Sequence, residues 1–149
     1  MLKNLKRIFT DSTERRELPG LERRHLQVAV AVLLHEARRA DYVHANAESD
    51  LAEAALREIF GVDAREAAEL MNEGRAKAES LSSFYAPLAV IKRDFSMAER
   101  IRLVEHLWRI SFADGQLNLY EDHYVRKIAH LLYVPNTDSM LARNRAKAG

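Results

Sequence analysis

Residues 113–121 read ADGQLNLYE and residues 40–48 read ADYVHANAE, so an Ala-Asp pair followed seven residues later by Glu occurs twice, 73 residues apart. In each copy a largely apolar segment precedes the Ala-Asp, and the Glu falls where the next helical segment begins. The same interval superposes residues 25–60 on residues 98–133, which indicates two repeated helix-loop-helix units. Two such hairpins can bury their apolar faces against each other. We therefore predict an all-α fold, a single-domain helical bundle of about seven helices.

Apolar residues at helical spacing predict helices through the remaining chain as well. Residues 28–32 alternate as a strand would, but the segment has the length of a helix and no partner strand is evident, so we predict a buried helix. Gly61 is a typical helix stop, and Ser96 with Glu99 has the spacing of a capping box. The predicted helices span residues 21–40, 47–60, 64–80, 83–92, 96–112 and 119–132, with further capping-box spacings at Asp63–Glu66 and Asn118–Glu121 and a final short helix capped by Asp138.

The first ten residues form a separate pattern. Leu2, Leu5, Ile8 and Phe9 recur at helical spacing among basic side chains, which predicts a short amphipathic helix. This helix either packs on the core or makes a peripheral contact with an anionic membrane surface, where so short a segment would bind weakly on its own. The chain thus divides into an N-terminal helix and linker (1–20), a helical domain holding both repeats (21–135) and a short C-terminal helix or tail (136–149).

The composition excludes several classes of function. The 149 residues contain no cysteine, so disulfides, thiolate zinc sites and thiol nucleophiles are ruled out. The net charge is +1, but residues 1–24 and 141–149 each carry +3 and the middle carries −5, which argues against a nucleic-acid partner. No apolar run has the roughly 20 residues of a membrane span, and the first residues lack the pattern of a secretion signal. We expect a cytoplasmic protein.

The second repeat closely resembles the TerB (tellurite-resistance) family. Members carry Ala-Asp-Gly, an apolar residue two positions on, and a Glu opening the next helix, and residues 113–121 are similar at each of these places. The helix start at residues 96–100 is also similar, and the resemblance extends over nearly the whole chain. The first repeat departs from the pattern, with Tyr42 in place of Gly and His44 in place of an apolar residue, so its turn geometry is less certain.

The acids of the two repeats are the candidate metal ligands. If the two loops meet, Asp41, Glu48, Asp114 and Glu121 would place up to four carboxylates together, which suits a hard divalent cation. The resemblance implies the same, since TerB-like domains are thought to bind metal at such acidic positions. A structural explanation stays open, because helix caps and turns account for each acid separately. The loops are not EF-hands, which need 12 residues.

Other chemistry has little support in the sequence. There is no glycine-rich phosphate loop and no nucleophile elbow, so we predict no catalytic residues and no organic cofactor. Among the histidines, His44 and His123 lie beside the acidic loops and are the first candidates for a metal role, although a surface or partly buried imidazole is the simpler reading.

Three functions remain as hypotheses. The resemblance implies a non-catalytic interaction module with protein partners in a bacterial stress-response assembly, linked to tellurite and other chemical stress. TerB-like domains also occur fused to J-domains, so an adaptor in a chaperone assembly is a second form of this hypothesis. The alternatives are a metal-dependent hydrolase that uses the same acids and a dimerising bundle.

Overall fold

The computed structural model describes residues 20–39, 45–113 and 119–149, with side chains at 20–38, 51–113 and 120–149. These residues form helices and connecting turns without any strand, which confirms the predicted all-α bundle. The predicted N-terminal helix lies outside the described residues. The seven helices are α1 (Gly20–Arg39), α2 (Ala45–Phe60), α3 (Ala64–Ser80), α4 (Tyr85–Asp94), α5 (Met97–Ser111), α6 (Leu119–Leu131) and α7 (Asn136–Ala148).

Helices α1 and α5 form the centre of the bundle. The apolar run at residues 30–34 of α1 is completely buried, because neighbouring helices cover this helix on several sides. In α5, Leu103, Leu107 and Trp108 are completely buried in the same core. The alternating valines therefore belong to a buried helix, as predicted, and the two central helices belong one to each repeat.

The predicted helical hairpins are α1 with α2 and α5 with α6, and they pack against each other. Helix α1 contacts α2, α5 and α6, and α2 also contacts α5. The remaining helices cover this arrangement, with α3 and α4 on α1 and α7 on α5. The duplicated pattern in the sequence thus corresponds to the four helices at the heart of the fold.

Local signals determine most of the helix ends. Gly61 ends α2 with a φ of +70°, a conformation that glycine adopts without strain, and its N–H donates to Arg57. At α5, Ser96 Oγ accepts from the Glu99 N–H at 3.2 Å while Glu99 accepts from the Ser96 N–H at 2.8 Å, a complete capping box.

The start of α7 differs from the prediction. Asp138 does not cap this helix, because α7 already begins at Asn136 and Asp138 lies in its first turn. Pro135 occupies the cap position, where its φ of −56° is already suited to a helix start and its carbonyl accepts from the Ser139 N–H at 3.0 Å. Ala142 and Ala146 then pack into the core, so α7 is part of the bundle.

Helices α1 and α3 approach each other most closely at a glycine. A Cβ atom placed on Gly74 of α3 would lie 2.6 Å from the Cβ of Ala31 and 2.8 Å from its carbonyl carbon. Only hydrogen at position 74 therefore permits this packing distance, and a small residue at position 31 is needed as well. None of the helices in the described ranges combines the length and apolar character required to cross a membrane.

Candidate functional site

The described helix ends that lead into the two repeat loops lie at the same end of the bundle. At the opposite end, the start of α1, the end of α2 and the start of α5 line a common cleft, and Arg100 of α5 donates to the carbonyl of Leu132 just after α6. The start of α1 and the end of α6 thus lie near the cleft. The other ends of these helices, residue 39 of α1 and residue 119 of α6, lie away from it. Residues 40–44 and 114–118 therefore join helices at one shared end, which we call the loop end.

A hydrogen bond between α6 and α1 holds the two helices side by side near the loop end. The hydroxyl of Tyr124 donates to the backbone carbonyl of Leu33 at 2.8 Å. Burial raises the pKa of Tyr124 well above its ordinary value, and the carboxylate of Glu36 raises it further. Tyr124 therefore stays protonated and keeps donating at any physiological pH. At the rise of an α-helix, residue 39 lies about 9 Å beyond Leu33 along α1, and residue 119 lies about 8 Å beyond Tyr124 along α6, both toward the loop end.

Glu121 is the one predicted metal ligand whose side chain the structure describes. It lies in the first turn of α6 and is only 2% exposed. A carboxylate this deeply buried must be engaged by a neighbouring group, because leaving it unpaired would cost several kcal/mol or change its protonation. Glu121 thus faces the interior at the loop end.

The other three predicted ligands lie, wholly or in their side chains, outside the described residues. Asp41 and Asp114 lie outside the described residues, as does the side chain of Glu48, whose backbone belongs to the first turn of α2. Within residues 20–39, 45–113 and 119–149, no group of three or more His, Asp or Glu side chains could hold a metal ion. The four-carboxylate site therefore stays a prediction. His44 also falls outside these ranges, and His123 is exposed on α6.

His106, which no sequence motif singles out, is a buried member of a charged network. Its side chain in α5 is 5% exposed, and its Nε2 lies 3.0 Å from a carboxylate oxygen of Glu58 in α2. The same carboxylate pairs with Arg102 and lies 3.9 Å from Arg109. Helical spacing of Arg102, His106 and Arg109 on one face of α5 was the signal available in the sequence; the partner across the bundle was not.

Burial and charge determine the protonation of His106. Burial lowers its pKa to about 4, and the nearby Arg109 and Arg102 act in the same direction, while Glu105 opposes them. His106 is therefore neutral at pH 7, and its Nε2–H donates to Glu58. The network fastens α2 to α5 and has no free nucleophile, so we assign it a structural role.

The cleft lies at the end of the bundle opposite the loop end. It has a volume of about 580 Å³ and is partly open to solvent. The aromatic rings of Phe60 and Phe95 lie 6.1 Å apart in its wall. The other lining residues are Arg23, Leu26, Glu58, Ile59, Gly61, Asp94, Glu99 and Arg102.

Comparison with known proteins gives one positive result. A protein-family model described as tellurite resistance protein TerB matches residues 27–144, which is well over half of the chain and includes both repeats except for the first two residues. No curated protein and no solved structure matches the chain.

Proposed function

Because the chain belongs to the TerB family of tellurite resistance proteins, we propose that it is a cytoplasmic, non-catalytic interaction module of the bacterial stress response. In this proposal, the module binds a divalent cation through the acids of its two repeats. The family match covers residues 27–144, so the positions of Asp41, Glu48, Asp114 and Glu121 all fall within it.

The observation that carries the metal part is the convergence of the described helix ends. Tyr124 and Leu33 join α6 to α1, so both repeats direct their loops to the same end of the bundle. Four carboxylates at one end repel one another, and a hard divalent cation with oxygen ligands removes that repulsion. The buried Glu121 at this end supports an inward-facing site more than a surface ion atmosphere.

Calorimetric titration with calcium, magnesium, manganese and zinc tests the metal part. We expect saturable binding of at least one ion, and a loss of at least tenfold in affinity for Asp41→Asn and for Asp114→Asn. Glu69→Gln is the matched control, since Glu69 is an exposed acid of α3 that pairs with Arg65 on its own helix. Equal binding by all four proteins would place the cation elsewhere, and an absence of heat with every ion would end the proposal.

The interaction part predicts a partner that depends on the loop end. Affinity capture from a native lysate should recover a specific protein with the unmodified chain and with Glu69→Gln. The same protein should be reduced for Asp114→Asn or after chelation of divalent ions. A capture profile identical for all variants and unaffected by chelation would contradict a metal-responsive module.

The location of the cleft favours this role over hydrolysis. A hydrolase built on the repeat acids needs a substrate cleft beside them. The cleft of about 580 Å³ formed by the described residues lies at the other end, between the start of α1 and the end of α2. Turnover of generic phosphoesters with manganese by the unmodified chain, abolished in Asp114→Asn, would overturn the non-catalytic assignment.

A further inference from the structure

The cleft opposite the loop end has the surface of a docking site. Leu26 and Phe95 are buried in its base, and Phe60 and Ile59 are partly exposed within it. A volume of about 580 Å³ can accept several large apolar side chains. An apolar occupant would remove aromatic and aliphatic surface from water, which is the main favourable term in most association reactions.

The charges at the cleft indicate a basic occupant. Glu58, Asp94 and Glu99 line it together with Arg23 and Arg102, which leaves an excess of one negative charge. Arg23 donates to the carbonyl of Phe60 at 2.9 Å and lies over that ring, and two of the acids are engaged as well, Glu58 by Arg102 and Asp94 by Arg93. A segment with an apolar stripe and several positive charges would therefore be complementary to this surface.

The chain contains such a segment at residues 1–10. Its apolar residues at helical spacing are Leu2, Leu5, Ile8 and Phe9, and its charged side chains are Lys3, Lys6 and Arg7, with no acid among the ten. The segment therefore carries +3 and matches the cleft both in apolar character and in sign of charge.

The attachment point lies beside the cleft. Residues 11–19 connect the segment to Gly20, and Arg23 in the first turn of α1 already forms part of the cleft wall. Nine connecting residues can extend to about 30 Å, so the segment can reach any part of the cleft. A tether of this length also gives an effective concentration on the order of millimolar, so even weak docking would be populated.

We propose that residues 1–10 dock in this cleft within the same molecule. Their apolar stripe packs on Phe60 and Phe95, and their basic residues face the acids at the rim. This inference is independent of metal binding at the loop end. The same apolar residues cannot contact the cleft and a membrane at once, so a segment docked in the cleft is not available to bind a membrane surface.

The absence of cysteine allows a direct test in the full chain. A nitroxide is attached at Asn4→Cys, and amide signals are compared by NMR with the label oxidised and reduced. We expect the signals of Phe60, Gly61 and Phe95 to lose most of their intensity in the oxidised state. The signals of Tyr124 and Val125, toward the loop end, should keep theirs.

Two further variants of the labelled chain separate docking from mere proximity. Leu5→Ser with Ile8→Ser removes the stripe without changing charge and should restore the cleft signals. Ser12→Ala with Thr13→Ala, placed in the connecting residues, should leave the broadening intact. Because part of the attraction is ionic, high salt should reduce the broadening in the otherwise unmodified labelled chain.

Several results would overturn the proposal. Broadening that is absent, or equal at the cleft and at Tyr124, would show that the segment does not dock there. Broadening that appears on an unlabelled chain mixed with labelled chain would assign the cleft to a second copy. Unperturbed cleft signals together with binding to phosphatidylserine vesicles, lost in Leu5→Ser with Ile8→Ser, would assign the segment to a membrane surface.

Discussion

Replacing Gly74 with alanine should destabilise the protein, although the same change in an ordinary helix stabilises it. In an open helix interior, Gly→Ala contributes about 1 kcal/mol through helix propensity. At position 74 the added Cβ would lie 2.6 Å from Ala31 Cβ and 2.8 Å from the Ala31 carbonyl carbon. Because the second contact is with backbone of the buried helix α1, rotating a side chain cannot relieve it.

The magnitude follows from the balance of the two effects. Overpacking a closely packed contact costs about 1 to 3 kcal/mol, and a clash with backbone belongs in the upper part of that range. After subtracting the propensity gain, we expect a net loss of about 1 to 2 kcal/mol in the free energy of unfolding. For a domain of this size, that corresponds to a fall in Tm of very roughly 2 to 8 °C.

Urea unfolding monitored by far-UV circular dichroism measures this loss. Gly20→Ala is the matched control, since a Cβ at that position meets no atom within 4 Å, and it should leave stability within about 0.5 kcal/mol of the original. Adding Ala31→Gly to Gly74→Ala removes the Cβ contact and should recover part of the loss. A Gly74→Ala protein as stable as the original, or more so, would refute the packing argument.

Three other predictions concern stability and are measured by the same method. Because the pKa of His106 is lowered in the folded protein, the unfolded chain binds a proton more readily at this residue. The contribution of this group to stability should therefore be complete above about pH 6.5 and should decline as the pH falls toward 4, by at most about 3 kcal/mol. His106→Gln, which can still donate to Glu58, should remove that part of the pH dependence, and an unchanged profile would contradict the assignment. Ser96→Ala should cost about 1 kcal/mol by removing the capping box, whereas Ser82→Ala in an exposed turn should cost almost nothing. Tyr133, 69% exposed with a φ of +58°, occupies a left-handed position that glycine adopts freely, so Tyr133→Gly should be neutral or stabilising by up to about 1 kcal/mol. Lys127→Gly, at an exposed position in the middle of α6, should be destabilising by about 1 kcal/mol, and equal losses for the two variants would refute the strain at Tyr133.

The helices were predictable because their signals are local. All predicted bounds from residue 21 to residue 132 agree with the structure within two residues. Gly61 and the Ser96–Glu99 box act through backbone groups three or four positions away, so the sequence alone reveals them. Where the local signal was misread, at Asp138, a proline three residues earlier was already sufficient to start the helix.

The features that the sequence did not reveal depend on distant pairs. His106 meets Glu58 across 48 residues, and Arg102 meets the same carboxylate, so periodicity on α5 alone could not identify the partner. The cleft likewise combines segments from four helices and their junctions. For the metal site, the sequence predicts which acids belong together, and in the described residues the helix ends that bound the two loops share one end of the bundle.

The separation of that end from the cleft has an electrostatic consequence. Helix α1 has 20 residues and therefore spans about 30 Å, with the cleft beside its first turns and the loop end at its last. At physiological ionic strength, interactions between exposed charges decay over about 8 Å. Neutralising carboxylates at one end would therefore hardly change the electrostatic potential at the other end. Any communication between the two ends would have to travel mechanically, through the rigid packing of α1 and α5, and the two surfaces can otherwise be occupied independently.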